Sequence, residues 1–101
     1  MAQPRIQYKT NAQMRTMREA GLVLIKALDA AVAAARPGIT TAEIDQVFAG
    51  VLAEAGATSN FLGYYDFPAT ICTSVNEEVV HGIPGNRVLA DGDIISIDGG
   101  A

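Results

Sequence analysis

Helical periodicity runs through this sequence as far as Gly56 and then stops, and the short apolar segments that follow read as strands. That single change of period excludes an all-helical bundle and an alternating βαβ chain, and leaves two helices followed by a run of strands, an α+β order. Thr10 to Gln13 has the Ser/Thr-x-x-Glu/Gln form of a capping box. Behind it Met14, Met17, Gly21, Leu24, Leu28, Ala31, Val32 and Ala35 recur at steps of three and four, so a long helix with one apolar stripe is expected. It must end near Arg36, because Pro37 removes a donor and Gly38 supplies a turn. A second box, Thr40 to Glu43, precedes Ile44, Val47, Phe48, Val51, Leu52 and Ala55, with Gly56 as the stop.

Beyond Gly56 three short segments read as strands: "ATICTSV", then "EEVVHGI" after an Asn76-Glu77 turn, then "DIISID" after the turn signal Ala90-Asp91-Gly92. No internal repeat or linker interrupts the 101 residues, which fit one small domain, with residues 1–9 as an extension ahead of the first helix. A domain of this size buries only about 60–65% of the surface its unfolded chain exposes, so a missing partner would be felt.

Charge and cysteine usage narrow the function classes. The net charge is −4, and Arg5, Lys9, Arg15, Arg18, Lys26, Arg36 and Arg87 are spread out, so nucleic-acid binding gains no support. Cys72 is the single cysteine; it can form no internal disulfide, and there is no Cys/His cluster of zinc-site spacing, so a reducing compartment is expected. The start "MAQPRIQYKTNAQ" lacks the order of a secretory signal, and "GLVLIKALDAAVAAA" is short and broken by Lys26 and Asp29, so no membrane association and a cytoplasmic location are expected.

Few residues can carry chemistry. In "DIISID" alternation puts Ile95 and Ile97 on one face and Ile94, Ser96 and Asp98 on the other. A charged carboxylate there must be hydrogen-bonded, paired or metal-bound. On pattern alone Asp98 before Gly99-Gly100 reads as a strand-ending turn residue, and His81 in "HGIPG" as a polar surface histidine. The segment "NFLGYYDFP" holds Phe61, Tyr64, Tyr65 and Phe67, four of the six aromatics, and reads either as a cover for a small core, the slightly favoured alternative, or as the wall of an apolar pocket. No GxSxG, P-loop, GxGxxG after a strand or His-x-x-x-His pair is present, and Glu77-Glu78 read as a solvated turn.

Taken together, "ARPGITTAEID", "FLGYYDFPATICTSVNEEVVHGIPG" and "LADGDIISIDGGA" resemble the bacterial type of methionine aminopeptidase, in order and spacing, from "QMRTMREAG" to Ala101. The resemblance implies the N-terminal half of a pita-bread fold, whose two similar halves enclose two divalent metal ions (Co, Mn, Fe or Zn). It implies removal of the initiator methionine from nascent polypeptide N-termini, with the ribosome as one place of encounter. It also makes Asp98 a metal ligand, His81 a substrate contact near the scissile peptide, and Tyr64, Phe67, Cys72 and Phe61 the pocket for the methionine side chain. The chain departs from the family at "GYYDFP", where members often carry a histidine at the position of Tyr65. It also contains none of the ligands that the family places beyond the first aspartate. On this reading the 101 residues are expected to be inactive alone, to lack the other half of the fold, and to associate through uncovered apolar faces. Two alternatives stay open: a non-catalytic relative acting as a binding module, and another pita-bread peptidase of the Xaa-Pro or prolidase kind.

Overall fold

The computed structural model describes residues 5–101. Two helices form one layer and a two-stranded antiparallel sheet the other, in the order α1 (Asn11–Ala34), α2 (Thr41–Glu54), β1 (Ile71–Val75) and β2 (Ile95–Gly99). A single 3-10 turn, Tyr64–Asp66, lies between α2 and β1. Of the expected extension 1–9, residues 1–4 fall outside the described part.

Both capping boxes form. Thr10 Oγ1 accepts from Gln13 N–H at 3.1 Å while the Gln13 side chain accepts from Thr10 N–H at 2.9 Å. Thr40 and Glu43 repeat the exchange at 3.2 and 3.3 Å. Two N–H groups that no helical carbonyl can reach are satisfied at each start. α1 stops at Ala34, ahead of Pro37 as expected. α2 ends on Gly56 with φ +70, where Ala57 N–H reaches back to the Leu52 carbonyl at 2.8 Å and Gly56 N–H to Ala53 at 3.1 Å. These two bonds close a Schellman turn that a side chain at position 56 would strain.

The core is the contact surface of the layers: Ile44, Phe48 and Leu52 of α2, Ala27 and Ala31 of α1, Ile71 and Val75 of β1, and Leu89. Ile44, Val47, Phe48, Val51 and Leu52 of α2 face inward or toward the boundary, as the sequence suggested, whereas Ala55 at the helix cap is exposed. α1 differs from its expected stripe. Leu24, Leu28, Ala31 and Ala35 pack against the core, but Met14, Met17 and Val32 are more than half exposed and Ala27, which the stripe omitted, is fully buried. A 24-residue helix extends about 36 Å and the 14-residue α2 about 21 Å, so α2 cannot cover the first turns of α1. The face that α1 buries is chosen by small residues that allow close approach to α2, which a count of apolar positions does not reveal.

The strands pair in the register Cys72↔Asp98, with Ile71 opposite Gly99 and Val75 opposite Ile95. Ile95 and Ile97 are half-buried toward the helices while Ile94, Ser96 and Asp98 are exposed, as alternation required. Gly99 faces inward because nothing larger fits: a Cβ there would lie 2.8 Å from Phe48 Cζ.

The expected strand "EEVVHGI" is not one. Val75 N–H donates to Glu78 Oε1 at 3.1 Å and Glu78 N–H to the Val75 carbonyl at 3.0 Å, so the chain curls at the end of β1 instead of extending. Val79 and Val80 are adjacent and 84% and 65% exposed, without the alternation that would bury one of them. Only Gly82 returns to the edge of β1.

Segment 85–89 runs across the start of α2. Thr41 N–H donates to the Arg87 carbonyl at 3.1 Å, Ala42 N–H to Gly85 at 3.0 Å, and Leu89 exchanges backbone bonds of 2.8 Å with Gly38 and Ile39. Thr41 Oγ1 bonds both the N–H (2.8 Å) and the carbonyl (3.2 Å) of Gly85. The helix start is therefore clasped from outside as well as capped from within.

Candidate functional site

On the face of the sheet away from the helices a pocket of about 430 Å³ opens. Phe61, Tyr64, Tyr65 and Phe67 form one wall, and Cys72, His81, Ile83 and Asp98 close the other side and the floor. The strands supply Cys72 and Asp98 as a cross-strand pair, whose side chains must leave the same face because register and alternation agree. Asp98 thus sits within a ladder and is not the turn residue that the pattern alone suggested.

The aromatic wall is a built loop. Asp45 of α2 accepts from Thr70 N–H at 2.8 Å, from the Thr70 hydroxyl at 2.6 Å and from Ile71 N–H at 3.1 Å, which fixes the entry to β1. Ser59 Oγ donates to the Thr70 carbonyl at 2.7 Å and accepts from Phe61 N–H at 3.0 Å. Gly63 N–H donates to the Phe67 carbonyl and Phe67 N–H to Tyr64, each at 2.9 Å. Gly63, Tyr65 and Asp66 all have positive φ. For the two non-glycine residues this costs about 1–3 kcal/mol each, a strain that the surrounding hydrogen bonds must offset. The rings pack edge to face: Phe61 on Phe67 with centroids 6.4 Å apart, and Tyr64 on Tyr65 at 4.6 Å. Tyr64 and Tyr65 are 66% and 89% exposed, so the loop does not cover the core, contrary to the slightly favoured pattern reading. Its rings are held open to solvent around a cavity.

His81 has φ +59 and lies exposed at the rim of the pocket. Cys72 is buried, and its thiol pKa is raised, first by desolvation and then by the neighbouring Asp98 carboxylate. It is a neutral thiol at pH 7, a small polarisable wall atom rather than a nucleophile. All six residues singled out from the sequence, Phe61, Tyr64, Phe67, Cys72, His81 and Asp98, line this one cavity. Tyr65 and Ile83 line it too and were not among them. Tyr65 belongs to the aromatic segment for which the sequence leaves a pocket-wall reading open, and Ile83 carries no chemical signal beyond following His81-Gly82.

The donor set limits what metal this chain can hold. Among the described residues no group of three or more His, Cys, Asp or Glu side chains converges as a metal site. Asp98 offers one hard carboxylate and fits a single coordinating position, but a pair of ions needs several protein ligands on each. The residues present do not fit a complete dinuclear centre. No helix of the described residues is long and apolar enough to cross a membrane.

The chain matches the model of metallopeptidase family M24 over residues 15–101. It is 50% identical to methionine aminopeptidase 1 of Bacillus subtilis over 93 residues, 92% of this chain and 38% of that one. An uncharacterized protein of Micrococcus luteus is 72% identical over 79 residues, 78% of this chain and 93% of that one. Among solved structures, methionine aminopeptidase from Thermotoga maritima superposes with a TM-score of 0.90 at 32% identity, covering 94% of this chain and 39% of that one. The chain therefore spans less than two-fifths of the length of these aminopeptidases and corresponds to their N-terminal portion.

Proposed function

The chain belongs to metallopeptidase family M24, and from that premise we propose that it supplies the substrate-binding part of a methionyl aminopeptidase, which removes the initiator methionine from nascent chains in the cytoplasm. The observation that carries this reading is the composition of one cavity. Two edge-to-face aromatic pairs, a neutral thiol and Ile83 form an apolar recess, and a carboxylate and an imidazole stand at the same opening. An unbranched apolar side chain with a terminal thioether suits such a recess, because aromatic edges and a thiol interact well with sulfur.

In this reading Phe61, Tyr64, Phe67 and Cys72 hold the methionine side chain. Asp98 would offer one coordinating position to a divalent metal ion, which would supply activation of a water when bound, and His81 contacts the substrate beside the bond to be cleaved. The remaining ligands are not among these residues, so the 101-residue chain alone should be inactive. Nascent N-termini are the partners this pocket would meet, at or near the ribosome.

The test is hydrolysis of a Met-Ala peptide by the protein in its complete natural form, including any sequence beyond Ala101, with and without Mn, Fe, Co or Zn. Metal-dependent turnover is expected, with Asp98→Asn lowering it at least about 100-fold and the 101-residue chain at background. Preferential cleavage of Xaa-Pro peptides, or unchanged turnover in Asp98→Asn, would refute this assignment.

A further inference from the structure

The imidazole of His81 stands beside the pocket on a backbone with positive φ, an uncommon conformation for a residue with a side chain. What holds it is the next residue. Gly82 is buried, and both of its backbone polar groups are taken by β1: Thr73 N–H donates to the Gly82 carbonyl at 3.0 Å, and Gly82 N–H donates to Ser74 Oγ at 3.0 Å. The approach is so close that a Cβ on Gly82 would lie 2.0 Å from the Thr73 carbonyl oxygen. Position 82 is glycine because of contact, since its φ is not positive.

Ser74 itself is 4% exposed. It lies two residues from Cys72 in β1 and so faces the same side of the sheet. Its hydroxyl is the one side-chain group that replaces a backbone carbonyl in this pairing, and so fixes the His81–Gly82 peptide plane. Beyond the clamp, Glu78 is tied to Val75, and Gly85 to Thr41. The segment from 78 to 85 is thereby held at both ends and pinned at its middle.

We propose that Ser74 is a positioning residue, whose hydroxyl holds the Gly82 amide and so aims the His81 imidazole at the substrate. The proposal rests on the reading of His81 as a substrate contact, and its test separates the two. A group misplaced by a fraction of an ångström loses rate more than affinity, because the bound geometry must already approach the reacting one.

In the complete natural protein, Ser74→Ala is expected to lower kcat on a Met-Ala peptide about tenfold with KM within about twofold. Ser74→Thr, which keeps the hydroxyl, should return kcat to within about threefold of the parent. On a His81→Ala background Ser74→Ala should cost nothing further, whereas an equal additional loss would show a merely structural role and overturn the proposal. If His81→Ala itself leaves kcat unchanged, the reading of His81 fails first. The clamp is then decided by spectroscopy on the His81 imidazole resonances, identified by their loss in His81→Ala. A displaced or broadened His81 signal in Ser74→Ala supports the clamp, and an unmoved one overturns it. Should Ser74→Ala not fold, amide exchange in the parent protein decides: protection of Gly82 comparable to that of β1 supports the proposal, and exchange at a free-loop rate overturns it.

Discussion

α1 and α2 begin with the same device and end in different situations. Each opens on a threonine and closes a reciprocal capping box three residues later. α2 then buries Thr41, Ile44, Phe48 and Leu52 in 14 residues and has its start clasped by segment 85–89, whereas α1 buries only Ala27 and Ala31 in 24. Every residue of α1 from Asn11 to Glu19 is exposed. The difference shows that a cap sets where a helix starts and says nothing of whether that start carries the stability of the fold. Tertiary contact decides that.

The contrast can be tested by substitutions of decreasing effect. Phe48→Ala opens a cavity beneath Gly99 and Ile71 and should cost about 3–5 kcal/mol in denaturant unfolding. Truncation of Met17 on α1 should stay within about 0.5 kcal/mol, and a comparable loss would break the comparison. The caps should differ next. Thr40→Ala should cost about 1 kcal/mol of global stability, but Thr10→Ala under about 0.5, because fraying of an uncovered first turn is a local event.

The smallest effect is acidic loosening of the clasp. Asp93 accepts from Ala90 N–H at 2.8 Å and from the Asn76 side chain at 2.9 Å, which ties down the end of the clasping segment. Those bonds, the backbone one first, hold its carboxyl pKa below the usual value. A lowered folded-state pKa means the contribution is complete above the unfolded value near about 4 and is lost as pH falls through the folded one. The protection of the Thr41 and Ala42 amides relative to their intrinsic exchange rates should therefore fall below about pH 4, while that of the first turns of α1 should stay unchanged. Asp93→Asn should flatten the difference.

How far the sequence exposed this structure follows from which interactions are local. α2, both boxes, the stop at Gly56 and the two faces of β2 were legible because neighbours within four residues determine them. The buried face of α1 was not, since Ala27 gains its role from the approach of α2. "EEVVHGI" resembled a strand by composition, but the Glu78 carboxylate captured the donor that a strand would have used. At the site, pattern alone left Asp98 in a turn and His81 on the surface, and only the resemblance joined them with the aromatic loop. The positive φ of Tyr65 left no trace in residue type, whereas Asp66 and His81 are types that tolerate it. Gly82 was the visible clue, beside a histidine that needed an anchor.

The Tyr64–Tyr65 pair has an optical consequence. The chain has no tryptophan and three tyrosines, of which Tyr8 stands apart on the exposed stretch before α1. Two of the three tyrosines of these 101 residues thus sit edge to face at one opening, so in this chain occupancy of the recess can be followed by intrinsic tyrosine emission, without a label.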